Sequence, residues 1–156
     1  MSKIEYMIPG NSVIEKTCKE AYWDIIFEDI IEKNNYDLLL RNIEELKGML
    51  ISLIPNRGDI HNKEFNEFID IPFLKQKFEN GAFKHDDFVA LFNYIIDWIR
   101  RLGCAADEQE VELFKKTVIE VASEKGYFHV LPYAFDAMHT QTKKIIGSVA
   151  SYRAKN

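Results

Sequence analysis

The chain has 156 residues, 47% of them hydrophobic, and 20 Lys+Arg against 25 Asp+Glu give a formal charge of −5. That length suits one domain with enough apolar material for a packed core, which excludes both wholesale disorder and two full domains. The acidic balance opposes a phosphate backbone, so no nucleic-acid partner is expected.

Residues 1–12 read as an N-terminal extension and 13–156 as the helical domain. The start, MSKIEYMIPGN, holds no apolar run of signal-peptide length, and Pro9-Gly10 interrupts it, so a cytoplasmic protein is expected. From Val13 to Lys33 the spacing of Val13, Cys18, Tyr22, Ile25, Ile26 and Ile30 predicts one stripe of an amphipathic helix. Asn34-Asn35 breaks it. A second helix then carries Tyr36, Leu39, Leu40, Ile43, Leu46, Leu50 and Leu53 on one face, with Asp37, Arg41, Glu44, Glu45 and Lys47 opposite, and Pro55 ends it.

Asn56-Arg57-Gly58-Asp59 reads as an exposed turn, and Lys63 to Ile69 as a short amphipathic helix. Asp70-Ile71-Pro72 places a capping side chain before an early-turn proline, so a helix runs to Glu79 and stops at Asn80-Gly81. The next helix starts at His85 or Asp86 and ends at Leu102-Gly103. Phe88, Leu91, Phe92, Ile95, Ile99 and Leu102 share one face, while Val89, Ile96 and Trp98 make the rest largely apolar, so it is expected at the centre of the core. This window is too short to span a bilayer and carries Asn93, Asp97, Arg100 and Arg101, so no membrane insertion is expected.

Asp107 with Glu110 predicts a capping box opening a helix whose stripe is Val111, Phe114, Val118, Val121 and Ala122 and whose end is Lys125-Gly126. The last helix, Tyr127 to Tyr152, carries Leu131, Phe135, Met138, Ile145 and Val149, with Pro132 in its first turn or at a kink. No period-2 alternation or hairpin dipeptide occurs. The fold class is all-α, a single compact domain of about six to seven helices.

Chemistry-bearing constellations are few. Asp136 and His139 share a helical face at the spacing of a di-iron half-site, but no second pair matches it, so no metal or cofactor is assigned. His61, Glu64 and Glu67 share a face without specificity. Arg57-Gly58-Asp59 matches the adhesion tripeptide, for which a helix-linking loop is the simpler account. Cys18 and Cys104 lack CxxC or histidine context and read as buried thiols. Arg100-Arg101, Lys115-Lys116 and Lys143-Lys144 read as solvated positions among interleaved acids. No catalytic residue is assigned. Frequent Ile, Lys and Asn suggests an AT-rich genome, viral or parasitic.

The order of motifs carries more. Ala21-Tyr22-Trp23-Asp24, then Glu28-Asp29, then Tyr36 opening a Leu-rich helix through Ile43-Glu44-Glu45-Leu46-Lys47 to Leu53-Ile54-Pro55, resembles the start of the T-complex protein 11 domain. Asp70, Pro72, Leu74, Gln76, Glu79, Gly81 and Ala82 are similar to that family's D-x-x-x-I/L-x-Q-x-x-E-x-G-A core, and Cys104-Ala105-Ala106-Asp107-Glu108-Gln109-Glu110-Val111 to its C-A-P…D-E-E-V helix start. The resemblance runs from about Ala21 to about Val121, without the usual proline and arginine after Cys-Ala. Family members are longer chains, so this one reads as a shortened version.

The structural residues of the motif are Trp23, Asp70, Pro72, Gln76, Glu79, Gly81, Asp107 and Glu110, most of them readable as helix punctuation. The resemblance implies a non-enzymatic intracellular protein-interaction module linked to cyclic AMP and protein kinase A signalling, or to a cytoskeletal or viral assembly. Arg57, Asp59 and His61 mark the expected partner-binding loop. Two other readings stand beside it: a small metal-binding protein or enzyme using Asp136 and His139, and a structural subunit forming a homodimer through exposed Trp23 or Trp98 faces.

Overall fold

A computed structural model describes residues 13–54 and 59–155, with side chains described for 18–54 and 62–153. Seven α-helices lie among the described residues: α1 Val13–Lys33, α2 Asp37–Leu53, α3 Asp59–Phe68, α4 Ile71–Glu79, α5 His85–Leu102, α6 Glu108–Lys125 and α7 Tyr127–Lys155. A 3-10 turn, Ala105–Asp107, joins α5 to α6. No strand occurs among them, as the absence of alternating hydrophobicity requires. No described helix is long and apolar enough to cross a membrane.

The long helices build the frame. α5 packs on α2, α6 and α7, while α7 also lies against α2 and α6. This matches the breadth of the apolar surface of α5, where Phe88, Leu91, Phe92, Ile95, Ile96, Trp98 and Ile99 are all buried. α2 buries Leu39, Leu40, Ile43, Leu46 and Leu50, the stripe its periodicity predicts, and also packs against α3 and α4.

A chain of aromatic contacts closes one end of the core. Tyr36 stacks on Phe78 at 4.9 Å, Phe78 on Phe83 at 4.2 Å, and Phe83 meets Tyr127 edge-on at 5.3 Å. The Tyr127 hydroxyl donates to the Phe83 carbonyl at 3.2 Å. Such ring pairs add about 0.5–1.5 kcal/mol each beyond their buried area, and they tie the start of α2, α4, the α4–α5 connection and α7 together.

Several expectations need correction. α1 forms over the predicted span, yet it buries Trp23, Ile26 and Ile30, leaving Cys18, Tyr22 and Ile25 exposed. The physical reason is Trp23: it offers the largest apolar area on the helix, and its indole N–H finds an acceptor in Asp136 at 3.0 Å. Because Trp23 and Trp98 are both buried, neither provides the exposed dimer face expected of it. Cys104 is also exposed, because it lies in the connector after α5 rather than on a packed face.

Asp107 does not cap α6 with its side chain. The 3-10 turn holds it at φ −91°, ψ −4°, close to helical geometry, whereas an N-cap needs an extended residue. Its carboxylate instead faces Lys144 at 3.5 Å. α3 begins at Asp59, four residues before the predicted Lys63. Pro132 lies inside α7, past its first turn, so the helix continues through it.

Candidate functional site

The most distinctive stretch of the sequence builds α4. Asp70, at φ −89° and ψ 99°, accepts the Phe73 N–H at 3.1 Å and caps the helix, and Pro72 occupies its second position, where no N–H is required. At the other end Gly81 takes φ 65°. Its N–H donates to the Phe78 carbonyl at 3.1 Å and the Ala82 N–H to the Lys77 carbonyl at 2.8 Å, a Schellman termination. Lys47 on α2 fixes the junction before α4, its ammonium donating to the Ile69 carbonyl at 2.8 Å. Burial pushes the Lys47 ammonium below its ordinary pKa, with Glu44 and Asp70 acting the other way.

A helix pinned at both ends presents its outer face rigidly. Leu74 and Phe78 point inward and are buried. Pro72, Gln76 and Glu79, spaced i, i+4 and i+7, lie exposed along the outer face. Beside them the Phe73 ring is 53% exposed.

The surrounding charges are held in place. Lys75 lies 3.3 Å from Asp37 on α2 and 3.9 Å from Glu79. Lys77 meets Asp87 at 2.7 Å and lies 5.3 Å from the centre of the Phe73 ring. Hydrogen bonds from Lys77 and from the Lys84 N–H at 2.9 Å hold the Asp87 carboxyl below the ordinary carboxylate range. An aromatic ring, an amide and a carboxylate on one braced helix suit contact with another protein, where aromatic anchors contribute most.

The signature therefore divides. Asp70, Pro72 and Gly81 shape α4, as punctuation predicts, whereas the Gln76 and Glu79 side chains are exposed and do no capping. Trp23 serves packing, and Glu110 is exposed on the first turn of α6. Arg57 lies outside the described residues. Asp59 and His61 fall in the first turn of α3 rather than in a loop, and their side chains lie outside the described residues.

Asp136 and His139 are committed to joining helices. Besides the Trp23 bond, burial raises the pKa of the half-buried Asp136 carboxyl, opposed by that bond and by nearby Lys19, His139 and Lys143. The buried His139 ring approaches both the backbone oxygen and Oδ1 of Asn42 at 3.1 Å through Nε2. A carbonyl oxygen only accepts, so Nε2 carries the proton. Burial lowers the His139 pKa and favours the neutral ring, partly offset by the Asn42 bond. Among the described residues no group of three or more His, Cys, Asp or Glu side chains is placed to hold a metal ion.

Sequence reasoning missed Phe73 as a surface feature. The available signal was its position one residue out of step with Leu74 and Phe78, which places it off the inward stripe. It also missed an open cleft of about 340 Å³ between the α5–α6 connector and the C-terminal half of α7, floored by Leu102, Ile145 and Val149 and edged by the Asp107–Lys144 pair.

Fold and surface together define an all-α domain whose distinctive residues partly punctuate helices and partly cover one outer helix face. A family model for T-complex protein 11 matches residues 6–138, and the chain belongs to that family. It is 26% identical over 131 residues to the human T-complex protein 11 homolog, an alignment covering 81% of this chain and 25% of the human protein. The chain thus matches about a quarter of the length of that curated relative. No solved structure matches the chain significantly.

Proposed function

We propose that this T-complex protein 11 domain is a non-enzymatic, cytoplasmic protein-interaction module whose outer α4 face docks a protein partner. One observation carries the reading. Of the residues through which the chain resembles its family, Gln76 and Glu79 are exposed beside the half-exposed Phe73 ring, on a helix braced at both ends, with Glu79 3.9 Å from Lys75. Exposed side chains on a rigid element supply contact area at little ordering cost. A regulatory role, with a link to cyclic AMP and protein kinase A signalling or to a cytoskeletal or viral assembly, belongs to this proposal.

Crosslinking with mass spectrometry in the source cell, using the full chain and a Phe73→Ser/Glu79→Lys variant, tests it. The expected result is a partner crosslinked near α4 in the wild type and at least tenfold depleted in the variant, with the thermal midpoint unchanged. A partner set unaffected by the variant overturns the α4 assignment.

A further inference from the structure

α1 carries two apolar stripes, and the fold uses one. Trp23, Ile26 and Ile30 face the core, with Phe27 6.0 Å from Trp23 and 5.6 Å from Phe128 of α7. Beside that face Cys18, Ala21, Tyr22 and Ile25 are exposed, Ile25 by 52% and Tyr22 by 37%, with the Tyr22 ring edge-on to Trp23 at 6.1 Å. Their spacing is i, i+3, i+4 and i+7, the pattern by which one helix receives another. Two turns of α-helix separate Cys18 from Ile25, about 10 Å along the axis.

The charges beside this stripe choose its occupant. Asp24, Glu28 and Glu32 are exposed on the same half of the helix as the stripe. Of the described cations on α1, Lys19 is half-buried toward Asp136, and Lys33 lies 3.9 Å from Asp29 in the last turn. A second copy of the same helix would bring these acids against their own images, which like-charge repulsion opposes. A helix with an apolar stripe and lysine or arginine flanks would meet both features at once.

We propose that the outer face of α1 is a docking site for a basic amphipathic helix of a partner protein. The site is separate from the α4 face, so either assignment can fail while the other stands. The two exposed cysteines supply the readout: Cys18 lies on the proposed stripe and Cys104 on the α5–α6 connector.

The test uses the full chain and a synthetic 21-residue peptide with leucine at heptad a and d positions and lysine on the flanks. A peptide of the same composition with scrambled leucines and one with glutamate for lysine are the comparators. The leucine–lysine peptide is expected to bind in fluorescence anisotropy and to slow alkylation of Cys18 at least fivefold while leaving Cys104 unchanged. Tyr22→Ser/Ile25→Ser should weaken binding at least tenfold with the circular dichroism unchanged. Asp24→Lys/Glu28→Lys should reverse the preference toward the glutamate peptide.

Equal binding of the scrambled peptide, an unprotected Cys18, or indifference to either double variant overturns the proposal. So does a wild-type dimer in light scattering that Ile25→Ser dissociates, which would assign the face to a second copy. The Cys18 reading needs no substitution, so misfolding of a variant leaves the test decisive.

Discussion

At the scale of single residues, the polar contacts of α7 decide how the helices register. Replacing Asp136 by leucine would strand the Trp23 indole N–H in the core, and a buried donor without a partner costs about 1–3 kcal/mol. Asp136→Asn keeps an acceptor and removes a half-buried charge, so in urea unfolding at pH 7 it should match or exceed the wild type while Asp136→Leu falls below it. The pH dependence follows from the two opposite shifts. The folded pKa of His139 lies below its ordinary 6.5, so the unfolded chain binds more protons in the window below pH 6.5. Its contribution to stability is full above pH 6.5 and is lost as pH falls through the folded value. Asp136 has a folded pKa raised above 3.8, so its contribution has the other sign, decreasing as pH rises through that raised value. Thermal midpoints measured downward from pH 7 should therefore fall less steeply below pH 6.5 in His139→Gln than in the wild type. None of these pairings is legible in the sequence, because Trp23 and Asp136 are separated by 113 positions and no local pattern links them.

At the scale of elements, local chemistry set most boundaries. The start of α4 at Asp70 and its end at Gly81 follow from an oxygen-bearing cap and a residue tolerant of positive φ. Asp70→Ala should lower stability by about 1 kcal/mol through the lost cap. Gly81→Ala should cost a similar ~1 kcal/mol from backbone strain alone, since a Cβ there would meet nothing within 4 Å. Both are measurable by chemical denaturation, and both should leave the exposed face of α4 in place. The start of α6 shows where local reading fails. Asp107 and Glu110 have capping-box spacing, but the 3-10 turn places Asp107 in helical geometry and gives its carboxylate to Lys144 on α7. A short connection between two packed helices outweighed a cap that contributes about 1 kcal/mol.

At the scale of the whole molecule, surface charge holds little and packing holds much. Asp97 and Arg100 of α5 meet Lys115 and Glu112 of α6 at 3.2 Å and 2.7 Å, and all four side chains are at least a quarter exposed. Exposed pairs contribute about 0–1 kcal/mol and are screened by salt, so Arg100→Ala should shift the thermal midpoint by no more than a few degrees. Phe92→Ala, at a fully buried ring of the central helix, should cost about 3–5 kcal/mol in chemical denaturation. This contrast is why the all-α class and the central place of α5 were legible: apolar periodicity records burial, and burial dominates the energy.

The sequence by itself determined the all-α class, the α2 and α5 core faces, the α4 caps and the family resemblance, because each rests on local spacing or local backbone preference. Only the tertiary structure decided which of the two α1 stripes is buried, that both thiols are exposed, that Asp107 serves an ion pair, and that Asp136 and His139 join helices. A helix apolar on two sides has no local term that chooses between them. The choice belongs to α7, where Asp136 accepts the Trp23 indole N–H and Phe128 meets Phe27, and those partners come within reach only once the chain has folded.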